Sequence, residues 1–207
     1  MNDSANINAS GPITAATGQD DSSPASGGTG PLLKRDYWAL LDHCPLSSIE
    51  VMAHVKAHFC ELPPEALVTF EAREGVALGA QLDIVIMPAQ RCGVRVIHED
   101  AQSLTLGTLK GHPEAGRITF GAYRNPASDV IFHIRSRARS SSIFTRAGFV
   151  AIGEAMQTNT WTDFISRTAG SVGAQVRDAI HADTQEVDEL PEDGEACDSP
   201  TFVAAGG

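Results

Sequence analysis

The sequence predicts an α+β domain in which a curved antiparallel sheet of about six strands grips a long C-terminal helix. Three observations predict it. Apolar residues recur at helical spacing around residue 50, alternate with period two from about residue 67 to 138, and return to helical spacing from Thr145 onward. A helix, a run of strands and a second helix is an order in which the sheet hides one face under the helices. With 207 residues, the chain has room for one domain of ordinary size plus tails.

Residues 1–31 are rich in Ser, Gly, Ala, Asn, Thr and Asp and hold no aromatic residue, so they bury too little apolar surface to offset the entropy of ordering. They are expected to be disordered, and the domain to occupy residues 32–174. The stretch has neither the basic start and apolar run of a secretory signal nor the arginines of a transit peptide. The first aromatics, Tyr37 and Trp38, mark the opening of the ordered part. Ser47 followed by Glu50 is a capping-box pattern, and Ile49, Met52, Val55 and Phe59 continue at helical spacing to the "LPPE" stop. A helix over roughly 47–60 follows.

After Pro64 the period becomes two. Val68, Phe70 and Ala72 form one alternating run, Leu82, Ile84 and Ile86 a second, and Val94 and Val96 a third, each ended by Gly, Pro or charged clusters. Three more strands are expected at about 103–109, 116–124 and 130–138, with "RNPASD" as a hairpin connection between the last two. From Thr145 to Arg167, Phe149, Ile152, Met156 and Phe164 define a helix about 33 Å long, enough to lie across a sheet. Such an arrangement leaves a cavity suited to a small ligand.

The net charge of -11 has a local origin. Nine of the 26 acids lie from Asp178 onward, where no Lys or Arg occurs, and the remaining 17 face 15 bases. Residues 175–207 are therefore expected to be a disordered acidic tail suited to a basic protein partner, and deletion of residues 178–207 to leave stability nearly unchanged. No window approaches the roughly 18 apolar residues of a membrane span. Cys44, Cys60, Cys92 and Cys197 lack paired spacing, which fits reduced thiols in a cytoplasmic protein.

"LTLGTLKGHPEAGRITF" (104–120), followed by "VIFHIRSRARSSS" (130–142) and a helix carrying Gln157, resembles the DUF1990 family, whose centre reads approximately "YGTLPGHPExGExxF" before a strand ending in Ser-Arg-Pro. The resemblance spans about 66–170. It implies a fold of the helix-grip superfamily of birch-pollen-allergen-type, START and polyketide-cyclase proteins, with a hydrophobic-ligand cavity under the C-terminal helix. Three departures stand out: Lys110 in place of Pro, Arg117 where an acid is common, and "SRARSSS" without its proline. Ligand or activity is expected to differ if these positions shape the site.

In "TLKGHPEAG" (108–116), Gly111, Pro113 and Gly116 are accounted for by a turn, with Gly116 taking the left-handed conformation. His112 and Glu114 are left over. An imidazole near a carboxylate is an acid–base pair, which makes them the catalytic candidates, with Thr108, Lys110 and Arg117 beside them as ligand contacts. His133, Arg135 and Arg137, continued by Arg139, share one face at period two, and guanidinium groups suit a phosphate- or acyl-bearing ligand or a solvated outer face. Nucleic acid is disfavoured, because no stacking aromatics interleave with the arginines.

Glu50, His54 and His58 fall at steps of four, and the two histidines have zinc-like spacing, but no Glu follows His54 and no third ligand is indicated, so a wet helix face is expected and no metal. Gln81 and Asp83 are expected to face solvent. No nucleotide loop, GxSxG elbow or Cys–His nucleophile is present, and no cofactor is implied. The leading expectation is a domain that binds a hydrophobic or amphipathic small molecule. The alternatives are a cyclase- or hydrolase-like enzyme using His112 and Glu114, and an interaction module acting through its acidic tail.

Overall fold

The computed structural model describes residues 21–141 and 147–188, with side chains in the second segment from residue 153. The expected disorder of residues 1–20 and 189–207 lies outside this range. Eight strands and two helices follow one another as β1 (Thr29–Asp42), α1 (Ser48–Ala57), β2 (Val68–Ala72), β3 (Gln81–Ile86), β4 (Gln90–Glu99), β5 (Ser103–Thr108), β6 (Glu114–Arg124), β7 (Val130–Ser140), α2 (Ala147–Ser171) and β8 (Gln175–Val187). They form one curved antiparallel sheet in the order β2-β3-β4-β5-β6-β7-β1-β8. The helix–sheet order matches the expectation; the strand count is eight rather than six.

The two added strands lie toward the two ends of the described residues. β1 inserts between β7 and β8 and pairs with both, so its backbone groups are satisfied on each side. β8 replaces the first part of the expected acidic tail and corrects the boundary set at residue 174. Its burial is almost entirely exposed or intermediate, because it is an edge strand held through backbone pairing more than through apolar side chains. The N-terminal boundary moves as well. Ser23 N–H donates to Thr108 O at 2.8 Å, Gly116 N–H to Ser23 O at 2.9 Å, and Lys110 N–H to Asp21 O at 2.8 Å. This anchoring uses main-chain groups, which composition does not register.

Helix α1 begins where the pattern places it. Ser47 Oγ accepts from Glu50 N–H, and the Glu50 carboxylate accepts from Ser47 N–H at 2.8 Å. Val51, Met52 and Val55 are buried against the sheet. Phe59, at the same spacing, meets Phe70 and Phe120 edge-on, with ring centroids 5.4 and 5.0 Å away. Phe164 of α2 packs on Phe59, Phe120 and Phe132. This aromatic cluster fixes one part of α2 to the inner face of the sheet and leaves the preceding turns of the helix over a cavity. No helix among the described residues is long and apolar enough to cross a membrane.

Candidate functional site

The inner face of the sheet is built from alternate residues of each strand, and α2 closes it with Glu154, Gln157 and Trp161 at steps of three and four. Between them lies a cavity of about 630 Å³. Val68, Phe70, Ile84, Ile86, Leu106 and Ile118 make its apolar wall, and Met156 and Trp161 face them from the helix. Its polar end is built on β1, β6 and β7, where Arg35, Glu114 and Ser136 stand.

Arg35 is the centre of that end and is only 3 % exposed. Its Nε and Nη2 grip the Glu154 carboxylate at 2.8–3.0 Å, and Nη2 also lies 3.2 Å from Glu114 Oε1. Thr184 of β8 donates to the same Glu154 at 2.9 Å. Burial works against the charge on both partners, but the hydrogen bonds of the pair outweigh it: the Arg35 pKa is raised and that of Glu154 lowered. Among the described residues, Arg35 Nη1, Ser136 Oγ and Trp161 Nε1 are buried without a hydrogen-bond partner.

His112 and Glu114 both border the cavity, but the carboxylate of Glu114 turns to Arg35. The His112 Nδ1 lies 3.0 Å from the backbone N and O of Glu114. When Nδ1 accepts that N–H, Nε2 carries the proton of the neutral ring. Burial lowers the His112 pKa, partly opposed by the Glu114 charge. Thr108 also borders the cavity, but its hydroxyl serves the turn, donating to Ser23 O at 2.7 Å and accepting from Gly116 N–H at 2.9 Å. Lys110 is exposed and outside the lining.

The basic residues divide by strand alternation. On β7, Ser136 and Ala138 face the cavity, so His133, Arg135, Arg137 and Arg139 lie on the opposite, outer face and do not line it. There Asp36 engages His133 at 2.8 Å and Arg135 more closely still. Arg117 borders the cavity, yet its register partners Gly107 and Arg137 put it in an outer-face row. The period-two face expected from the sequence is thus present, on the side away from the ligand space. On α1 His54 meets Ser171, His58 just past its end meets Glu61, and among the described residues no cluster of three His, Cys, Asp or Glu is placed to hold a metal ion. Gln81 and Asp83 face outward, the latter near Arg73.

A family model described as a domain of unknown function (DUF1990) matches residues 57–167. The chain belongs to the DUF1990 family. Three solved structures are similar to the chain at low identity. Ara h 8.0201 is 11 % identical, covering 68 % of this chain and 97 % of its own, with a TM-score of 0.44. Norcoclaurine synthase from Thalictrum flavum, in complex with dopamine and hydroxybenzaldehyde, is 13 % identical, covering 70 % and 92 %, with a TM-score of 0.46. Ginseng major latex-like protein 151 from Panax ginseng is 12 % identical, covering 69 % and 98 %, with a TM-score of 0.45. No curated protein matches the sequence.

The DUF1990 match includes Glu114, Ser136, Glu154 and Trp161 but not Arg35, which lies before its first residue. The sequence expectations do not include Arg35, Ser136, Glu154 or Trp161 among the site residues. A signal for Arg35 exists: on β1 it interrupts the inward series Leu33, Tyr37, Ala39 and Leu41, and a charge within an apolar period marks a buried polar site. For Glu154 no local signal exists, because its partner is 119 residues away.

Proposed function

We propose that this protein binds a hydrophobic or amphipathic small molecule in the cavity between the sheet and α2. The observation that carries the reading is the cavity itself: about 630 Å³ with apolar walls, buried donors on Arg35 and Ser136 at one end and on Trp161 on the helix side, none with a partner among the described residues. This is the composition of a small-molecule site, a mostly apolar concavity with a few placed polar groups. Each unpaired buried donor costs on the order of 1–3 kcal/mol, which an acceptor on a ligand offsets.

The cyclase- or hydrolase-like alternative draws less support. Its acid–base pair would need the Glu114 carboxylate on His112, and that carboxylate is instead drawn to Arg35. An interaction role for residues 189–207 concerns a segment outside the described range, and no described feature favours it.

Native mass spectrometry of the full chain, purified from its own host without detergent, tests the binding reading. We expect a second species heavier by the mass of one small molecule, lost on mild collisional activation. A bare mass under conditions that preserve the fold overturns it.

A further inference from the structure

The polar end of the cavity limits the chemistry of the head group it takes, an inference that rests on the binding reading above. Its fixed charges are one guanidinium, Arg35, and two carboxylates, Glu114 and Glu154, both within 3.2 Å of it. The cation is therefore already over-neutralised. The other titratable groups near this end, His112 and Tyr37, add no charge, because burial lowers the pKa of the first and raises that of the second. Arg117 belongs to the outer-face row with Arg137, and Lys110 is exposed outside the lining, so neither adds a cation beside Glu114.

A carboxylate or phosphate entering here would be a third anion beside a single cation, and like charges so close disfavour one another. The unused capacity is for donating hydrogen bonds. Arg35 Nη1 and Ser136 Oγ are both buried without partners, on residues that are 3 % exposed each and stand opposite one another in the β1–β7 register. Residues so paired have Cβ atoms about 5 Å apart, which brings their side chains to one part of the cavity wall. The Trp161 indole N–H is a third such donor on the helix side. An alkane leaves all three unpaired, whereas an uncharged acceptor pairs those within its reach without adding charge.

We propose that the cavity takes a hydrophobe headed by an uncharged hydrogen-bond acceptor, a ketone, ester or amide carbonyl, and discriminates against carboxylates and phosphates of the same chain length. Recognition of this kind is strong, because a site that offers buried donors penalises any occupant that fails to use them.

The test is competition on the full chain at pH 7.5 with the neutral fluorophore N-phenyl-1-naphthylamine in the cavity and 2-undecanone, undecanoate or dodecyl phosphate as competitor. The ketone should displace the probe at concentrations at least about tenfold lower than either anion, the equivalent of one well-made hydrogen bond. Ser136→Ala and Trp161→Phe should each weaken the ketone several-fold and leave the probe within about twofold. Glu154→Gln, by removing one anion, should improve undecanoate relative to the ketone, with thermal melting confirming that each variant folds. Equal or better displacement by the anions, with the probe bound, overturns the head-group inference and leaves the binding reading standing. So does an unchanged ketone affinity in both donor variants. A probe that does not bind, together with a bare native mass, overturns both.

Discussion

Gly111 and Gly116 bracket the same hairpin and serve it differently. His112 N–H donates to Leu109 O at 3.1 Å, which makes Leu109 to His112 the turn, and Gly111 takes its third position with φ +92°. That conformation is the one a type II turn demands there. Gly116, which the sequence predicts to close the turn in the left-handed conformation, instead lies inside β6 at φ +153° and passes so close to β7 that an added Cβ would sit 2.2 Å from Arg137 O. A type II turn also welcomes Pro at its second position, where this chain has Lys110 and the family pattern has Pro. Lysine retains the N–H that Asp21 O accepts, a bond proline cannot make. Gly111→Ala should therefore cost about 1 kcal/mol, the strain of a left-handed alanine with open space around it. Gly116→Ala should cost about 3 kcal/mol or more, because backbone must move as well. Urea unfolding of the two variants checks the difference, and equal costs would contradict the close approach of β6 to β7.

At the scale of elements, what the sequence announces follows from side-chain period, and what it conceals follows from backbone pairing. Strands β2 to β7 and helix α2 carry alternating or helical apolar patterns and stand where those patterns place them. β1 breaks its own alternation with Lys34, Arg35 and Asp36, since one face meets the cavity's ion cluster and the other the Asp36–His133–Arg135 group. β8 has too few apolar residues to read as a strand; Val176 and Ile180 touch the core, and Trp38 stacks on His181 at 3.9 Å. Truncation of the chain after Gly173 should accordingly destabilise it by roughly 3 kcal/mol or more, through lost β1 pairing and the loss of the Arg177 bridges to Asp42 and Asp129. Truncation after Asp188 should leave the melting temperature nearly unchanged. Differential scanning fluorimetry of the two separates them, and equal melting temperatures would mean that β8 adds nothing to the fold.

The whole molecule joins groups that the sequence keeps far apart, and for this reason the acid side of its stability cannot be read from local motifs. Three histidines, His54, His112 and His133, have pKa values lowered chiefly by burial, against opposition from Glu61, Glu114 and Asp36 in turn. Their unfolded values sit near 6.5. Below that pH the unfolded chain binds protons that the folded chain refuses, so stability is complete above about pH 6.5 and falls as the pH drops toward the folded values. The carboxylates act at lower pH with the same overall slope. Burial pushes Asp36 and Glu154 upward, but the hydrogen bonds from His133 and Arg135, and from Arg35, prevail and hold both below the usual carboxylate range. Their contribution is present above about pH 4 and is lost as the pH falls through the folded values. Urea midpoints measured from pH 8 to 3 should thus form a plateau near neutrality, a first decline beginning below about pH 6.5 and a steeper one below about pH 4. His112→Gln should flatten part of the first decline and leave the second in place. A midpoint constant down to pH 5 would mean that these histidines take up protons as freely in the fold as outside it, and the buried neutral imidazole at the cavity would have to be abandoned.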